Sequence, residues 1–285
     1  MNVSIIIVNY NTKQLLSDCI DSIYRQTIGV DFEVIVVDNA STDESEVCIC
    51  HRFPDIKWIS SGENLGFGRA NNLGVQYAKG EYLFFLNSDT VLCNNAVGIF
   101  YEYAQIHKNE KIGVLGARLL DDKLRPNKSY GNFPSPKNEI YYLLEKLGIK
   151  NNMNILKNKD IDYVIGADMF IRKNIFKYFG GFDPKIFMYY EETDLQYRMA
   201  NKGLIRRIIE GPQIIHLEGG SFGSLGLTLN RFIMAQKSYN YYLKKHYTGF
   251  KYILYKMMVC LVRLSLFFTT DWSIKDKFKA YKIVL

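Results

Sequence analysis

The chain has 285 residues, 48% hydrophobic and 23% charged, which excludes a disordered or fibrous polypeptide and allows one large domain or a domain with an appendage. Its five cysteines, at 19, 48, 50, 93 and 260, are odd in number and lack the second pair that a zinc pattern needs, which fits reduced thiols in a cytosolic protein. The net charge of +7 is concentrated at one end: residues 237–285 hold ten Lys or Arg and two Asp, a balance of +8 that leaves −1 for residues 1–236, and such a tail suits nucleic acid or an anionic membrane surface.

Residues 3–8 are apolar and mostly β-branched and predict a buried strand. Met1 leads into it so directly that no leader is expected. The strand ends in Asn9-Tyr10-Asn11-Thr12. Leu16, Cys19, Ile20 and Ile23 then recur at helical spacing, with Asn11 or Thr12 as the cap. Residues 32–37 predict the second strand, ending at Asp38, and Ser41 with Glu44 reads as a capping box that opens the next helix. A weaker strand at 56–59, a turn at 64–68 and a helix through about Ala78 follow. Residues 82–86 are an unbroken apolar run, the pattern of a strand buried on both faces of a parallel sheet. A helix near 95–107 and a strand at 112–115 continue the alternation. The result is an α/β fold with a mainly parallel central sheet and helices on both faces.

The run at 82–86 ends in Asn87-Ser88-Asp89-Thr90. Ligands in open α/β sheets sit beyond the carboxyl ends of the strands, where Asn87 and Asp89 suit a hard divalent cation completed by substrate phosphates. An Asx turn would use the same residues. The first strand does not lead into Gly-x-Gly-x-x-Gly, and the chain has no Gly-x-x-x-x-Gly-Lys, which disfavours a dinucleotide oxidoreductase and a P-loop enzyme. Asp38 is then the candidate for hydrogen bonding a base or ribose, or else it caps a turn.

Residues 120–160 lose periodicity apart from a short helix near 139–147 and read as an insertion on the rim. Order returns at 162–171, followed by a tight turn at Gly180-Gly181-Phe182-Asp183-Pro184. The acidic cluster Glu191, Glu192 and Asp194 supplies either a general base or a negative first helical turn. Residues 204–209 and 214–216 predict two strands. His216 precedes a loop at Gly219-Gly220-Ser221 and is a metal ligand or a packed structural histidine.

These motifs, taken in order, resemble family 2 glycosyltransferases over roughly residues 2–225. Asp38-Asn39-Ala40-Ser41-Thr42-Asp43, Glu63-Asn64-Leu65-Gly66-Phe67 with Asn72, and Leu86-Asn87-Ser88-Asp89-Thr90 are similar to the donor half. Gly166-Ala167, Gly180-Gly181-Phe182-Asp183, Tyr190-Glu191-Glu192-Thr193-Asp194-Leu195, and His216 with Gly219 and Ser221 are similar to the acceptor half. The rhamnosyltransferase-like bacterial branch is the most similar. The resemblance implies a GT-A, Rossmann-like fold over residues 1–236, with a donor half at about 1–118 and an acceptor or catalytic half at 162–225. It also implies inverting hexosyl or rhamnosyl transfer with Mg2+ or Mn2+. The donor would be a nucleotide-diphosphate sugar (dTDP-rhamnose-like or a UDP-sugar), and the acceptor a saccharide or lipid-linked glycan in cell-surface polysaccharide synthesis.

Carried over, Asp38 would bind the nucleobase, and Asn64 and Asn72 would line the donor pocket, with Asn9, Phe67, Asn87 and Ser88 completing the donor-binding set. Asp89 would hold the metal, with His216 as a further ligand. Glu192 would be the catalytic base. Two departures matter. The usual Asp-x-Asp is Asn87-x-Asp89, which removes one formal charge from the metal site. The usual Glu-Asp pair is Glu191-Glu192, which keeps Asp194 open as an alternative base. A sugar nucleotidyltransferase would need a Gly-rich basic loop after the first strand, which is absent. A non-catalytic carbohydrate- or nucleic-acid-binding protein is allowed by the 21 Tyr and the basic tail, although no nucleic-acid partner is expected.

Residues 237–285 form the basic tail. Its apolar run at 252–268 is broken by Lys256 and Arg263, which share one helical face and oppose a membrane span. The pattern predicts an amphipathic helix at the membrane interface, aided by Lys275, Lys277 and Lys279, or else a helix packed on the domain. The expected location is cytoplasmic, peripheral at the inner face of the cytoplasmic membrane.

Overall fold

The β-branched run at the start of the chain forms β1 (Val3–Asn9), whose Ile5, Ile6 and Ile7 are fully buried because helices cover both faces of the sheet it centres. The computed structural model describes residues 1–146, 159–217 and 228–285. Parallel to β1 lie β2 (Phe32–Asp38), β3 (Lys57–Ser60) and β4 (Tyr82–Asn87). The connecting helices are α1 (Lys13–Gln26), α2 (Ser45–Arg52) and α3 (Gly66–Tyr77). Then follow β5 (Thr90–Leu92), α4 (Ala96–Ile106) and β6 (Ile112–Leu120).

After β6 come β7 (Tyr130–Gly131), α5 (Pro136–Lys146), β8 (Lys159–Asp160), β9 (Tyr163–Val164), β10 (Asp168–Arg172), α6 (Lys173–Tyr178), α7 (Glu191–Ala200) and β11 (Ile205–His216). The main sheet has the order β3-β2-β1-β4-β10-β6-β11-β5, with β8 on β11, while β7 and β9 pair separately. Strands β1 to β4, β6 and β11 run one way, and β5, β8 and β10 the other. On one face of the sheet Ile5, Ile7 and Phe84 pack with Leu16, Ile20 and Phe100. On the other, Ile6, Leu83 and Phe85 pack with Val75, Phe176 and Leu195.

Three local expectations differ from what forms. The Ser41–Glu44 capping box does not. Glu44 takes a left-handed backbone with φ of 61°, α2 begins at Ser45, and the Asp43 carboxylate accepts from the Ser45 and Lys13 backbone NH groups. Asp43 thus caps two helices, whereas Ser41 is drawn back to Asn9 and Asp38. The two strands expected at 204–209 and 214–216 are the single β11, in which a register shift between Ile209 and Gln213 absorbs Gly211 (φ of 111°) and Pro212. The strand expected at 112–115 runs on to Leu120.

The C-terminal segment comprises α8 (Leu229–His246), α9 (Gly249–Arg263), α10 (Leu266–Thr269) and α11 (Ile274–Val284). These helices share a core of Tyr239, Tyr242, Leu243, Tyr255 and Val259, against which Tyr190 and Tyr197, at the start of α7 and on it, also pack. The boundary expected between residues 236 and 237 falls inside α8, which runs unbroken from its Thr228 cap. The cations expected on an outer amphipathic face point inward. The Lys256 ammonium donates to Asn240 at 3.0 Å, and the Arg263 guanidinium meets Gln236 and, at 3.1 Å, the Glu139 carboxylate. Buried carboxylate and amide partners outweigh hydration for these two cations, so α9 packs its charged flank against the protein.

Candidate active site

A cavity of about 400 Å³ opens at the carboxyl ends of β1, β2 and β4 and is closed from the far side by α7 and the first turns of α8. The β4–β5 turn forms its floor. Asn87 is fixed by a backbone bond from its NH to Ala167, and Thr90 folds back to donate to the Asn87 carbonyl at 2.8 Å. The antiparallel pairing of β5 with β11 sets His216 opposite Thr90, and the Leu217 NH holds the Asp89 carbonyl. Residues far apart in sequence thereby converge: His216 Nε2 lies 3.4 Å from Asp89 Oδ1 and 3.4 Å from the Asn87 amide.

A carboxylate oxygen, an imidazole nitrogen and an amide at this spacing are chemically suited to a borderline-hard divalent cation. His216 Nδ1 is buried without a hydrogen-bond partner. Among the described residues no group of three or more His, Cys, Asp or Glu forms a closed metal cage. Asp89 and His216 therefore fit a cation that takes its remaining ligands from substrate oxygens and water.

The opposite wall carries the acidic pair. Glu191 is buried, with one carboxylate oxygen lacking any hydrogen-bond partner, and Glu192 beside it is half-buried; both line the cavity. Burial, and then the neighbouring Glu192 charge, push Glu191 well above the ordinary carboxylate range. Glu192 is also pushed up by burial, but backbone hydrogen bonds and the positive Lys128 temper the shift.

The pair follows a strained turn. Tyr189 and Tyr190 take left-handed backbones, with φ of 65° and 70°, a conformation that costs a non-glycine residue on the order of 1–2 kcal/mol each. Helix α8 holds the turn closed: Ser238 donates to the Met188 carbonyl at 2.7 Å, and the Tyr190 ring packs on Tyr239 and Tyr242.

Of the residues singled out in the sequence, Asn64, Phe67, Asn87, Ser88, Asp89, Glu191, Glu192 and His216 line this one cavity. Four others do not. Asp194 has no exposed side-chain surface and is bonded to Arg198, Lys245 and His246. Burial alone would raise its pKa; the His246 hydrogen bond and the Arg198 and Lys245 charges bring it down to about 2. A carboxylate so stabilised and turned from the cavity is a poor proton acceptor there. Asn72 spends its amide on both backbone groups of Phe182, at 2.8 and 3.0 Å, and staples α3 to the Gly181 turn. Asn9 and Asp38 bond each other at 2.8 Å, and Asp38 also holds the Ser41 NH, so both brace the first two strand ends.

The cavity instead receives their chain neighbours, Tyr10 and Asn39. Asn39 ties β2 to the start of α3 through the Gly66 carbonyl and the Leu65 NH. Arg231 and Met234, from α8, complete the wall together with Phe187, Met188 and Tyr189. Only the adjacent motifs could have signalled Tyr10, Asn39 and Tyr189. Arg231 carried no local signal. The loop at Gly219, Gly220 and Ser221 lies outside the described residues.

The sequence profile of Glycosyl transferase family 2 matches residues 4–179. The low-salt glycan biosynthesis hexosyltransferase Agl10 of Haloferax volcanii is 29% identical over 212 residues, which is 71% of this chain and 63% of that protein. The chain thus spans less than two thirds of that relative's length. Rhamnosyltransferase WbbL of Escherichia coli is 24% identical over 225 residues, 75% of this chain and 83% of that protein. Among solved structures, the mannosyltransferase PcManGT from Pyrobaculum calidifontis in complex with GDP-Man and Mn2+ superposes with a TM-score of 0.58 at 17% identity, covering 98% of this chain and 73% of that one. That likeness is one of fold, the GT-A architecture.

Proposed function

This chain belongs to glycosyl transferase family 2, and we propose that it is an inverting enzyme that transfers a hexosyl or rhamnosyl group from a nucleotide-diphosphate sugar to a saccharide or lipid-linked acceptor. The observation that carries this reading is the common cavity, with Asp89 and His216 at one wall and Glu191 and Glu192 at the other. Its volume suits a ligand of nucleotide-sugar size with most of its surface covered. In the proposed reaction the acceptor hydroxyl attacks the anomeric carbon, the bond from that carbon to the diphosphate oxygen breaks, and the hydroxyl proton passes to the Glu192 carboxylate. Glu192 is the better base of the pair, because Glu191 is buried more deeply and is pushed further above the ordinary carboxylate range. Tyr10, Asn39 and Asn64 bound the side where the donor would sit, and Arg231 offers a cation to anionic groups of either substrate.

Asp89 and His216 would hold Mg2+ or Mn2+, which when bound offsets the charge that develops on the departing diphosphate. The mannosyltransferase PcManGT was solved with GDP-Man and Mn2+, which supports a nucleotide sugar and a divalent cation here. The C-terminal helices would keep the enzyme at the inner membrane surface, near a lipid-linked acceptor. Nucleotide release from a panel of UDP-, GDP- and dTDP-sugars, with Mn2+ and then with excess EDTA, tests the reading. Metal-dependent release from one donor is expected, with loss of at least tenfold in Asp89→Ala. Release from none would remove the enzyme assignment, and full turnover in EDTA would remove the metal.

A further inference from the structure

The outer face of α9 is apolar along its whole length. Phe250, Leu254, Met257, Leu261 and Leu264, continued by Phe268, recur at three- and four-residue intervals on one stripe, and all are exposed. Phe250 and Phe268 reach 77% and 89%. The opposite side of the helix is committed to the protein through buried Tyr255, Val259 and Val262. Gly249–Thr269 is, among the described residues, the one stretch long and apolar enough to cross a membrane by length and composition. With one side packed on α5 and α8, and Lys256 and Arg263 bonded inward, the helix lies flat against the domain and offers only its outer stripe.

Helix α11 extends that stripe. Its Ile274 and Phe278 are exposed, and Phe278 meets Phe267 at 5.2 Å between ring centroids, which joins the two apolar surfaces. Beside them Lys275, Lys279 and Lys282 form an exposed row on the next face of α11. Exposed single apolar residues are ordinary, but a continuous apolar stripe with a polar rim marks a docking surface, and here the α11 lysines make that rim mainly basic.

We propose that this face docks on an anionic lipid bilayer, with the α9–α11 stripe inserted at the boundary between headgroups and acyl chains and the α11 lysines against headgroup phosphates. The lysine row is complementary to anionic lipid, and in a two-fold pairing of copies it would repel its own image. The proposal rests on the membrane-attachment reading above and assigns the attachment mainly to apolar insertion of this stripe. Because Lys256 and Arg263 face inward, Lys251 is the one exposed cation on α9, and salt has little to screen along its apolar stripe.

Flotation of the full chain with vesicles of phosphatidylcholine containing roughly a quarter phosphatidylglycerol separates the cases, with NaCl raised from about 0.1 to about 1 M so that screening shortens from about 10 to about 3 Å. Binding is expected to persist at high salt and to fall at least tenfold in Leu254→Glu combined with Leu261→Glu, with melting temperature unchanged. Tryptophan placed by Leu261→Trp should be quenched by brominated acyl chains, a readout that does not depend on the double variant. Salt-abolished binding that ignores the double variant leaves attachment standing and overturns insertion. No binding to the vesicles overturns both. Conversion of a dimer to a monomer by the double variant, seen by sedimentation velocity, assigns the face to a second copy and also overturns it.

Discussion

Glu192 and Asp194 stand two residues apart on the first turn of α7, and their surroundings drive their acidities in opposite directions. Burial raises Glu192, while His246, Arg198 and Lys245 override burial and hold Asp194 down to about 2. The proposed base must be deprotonated to act, so a raised Glu192 pKa would move the acid limb of kcat/KM above the ordinary glutamate range. Activity should climb as pH rises through that limb. Glu192→Gln should reduce transfer by at least roughly a thousandfold and keep donor binding, which calorimetry with the nucleotide sugar would measure. Unchanged turnover would return the role to another group. Sequence motifs brought candidate residues to the strand ends that border the cavity, but not always the side chain that lines it. Successive residues at a strand end point to opposite sides, so Asn9 and Asp38 became braces while Tyr10 and Asn39 entered the cavity.

At the scale of elements, the junction of α7 with α8 does most to fix the acidic pair. The left-handed Tyr189–Tyr190 turn persists only because its surroundings over-determine it. Asp194 anchors the other end of that junction, accepting from Arg198 on its own helix and from Lys245 and His246 on α8. Its lowered pKa is a stability term. The native state favours the carboxylate, so the term, about 2 kcal/mol, is present above about pH 4 and is lost as pH falls through about 2. Asp194→Asn should cost about 3 kcal/mol at neutral pH, because it removes the partly buried Arg198's counter-charge and one of the two carboxylates that hold Lys245. The gap from wild type should narrow as the pH approaches 2, as urea unfolding across that range would show; a pH-independent gap would count against it. The strands themselves were legible because unbroken apolar runs have few other solutions in a sheet covered on both faces. The α7–α8 junction was not, since it depends on contacts between residues about fifty positions apart.

For the whole molecule, charge suggested a body of 236 residues and an appendage, but three carboxylates of the body hold the C-terminal helices to it. Glu139 of α5 accepts from Tyr239 at 2.6 Å and pairs with Arg263. Asp183, beside the Gly181 turn, holds Tyr241 and Lys245. Asp194 takes the end of α8. Composition records how many cations a segment has, not where they point, so the sequence left the tail open between an interfacial amphipathic helix and one packed on the domain; several of its cations serve as internal fastenings. A chain ending after Gln236 would lose Ser238, Tyr239, Tyr242, Lys245 and His246 together, and with them the α8 rings that pack on Tyr190 and Tyr197. The strained turn would then relax and carry Glu192 away from the Asp89 wall. Displacements of about 1 Å at a reacting group cost on the order of a hundredfold in rate, so at least that loss is expected on a soluble acceptor with no membrane present, along with faster proteolysis near residues 187–190. Membrane-free activity equal to that of the full chain would mean that residues 1–236 hold the site by themselves and that the C-terminal helices serve attachment alone.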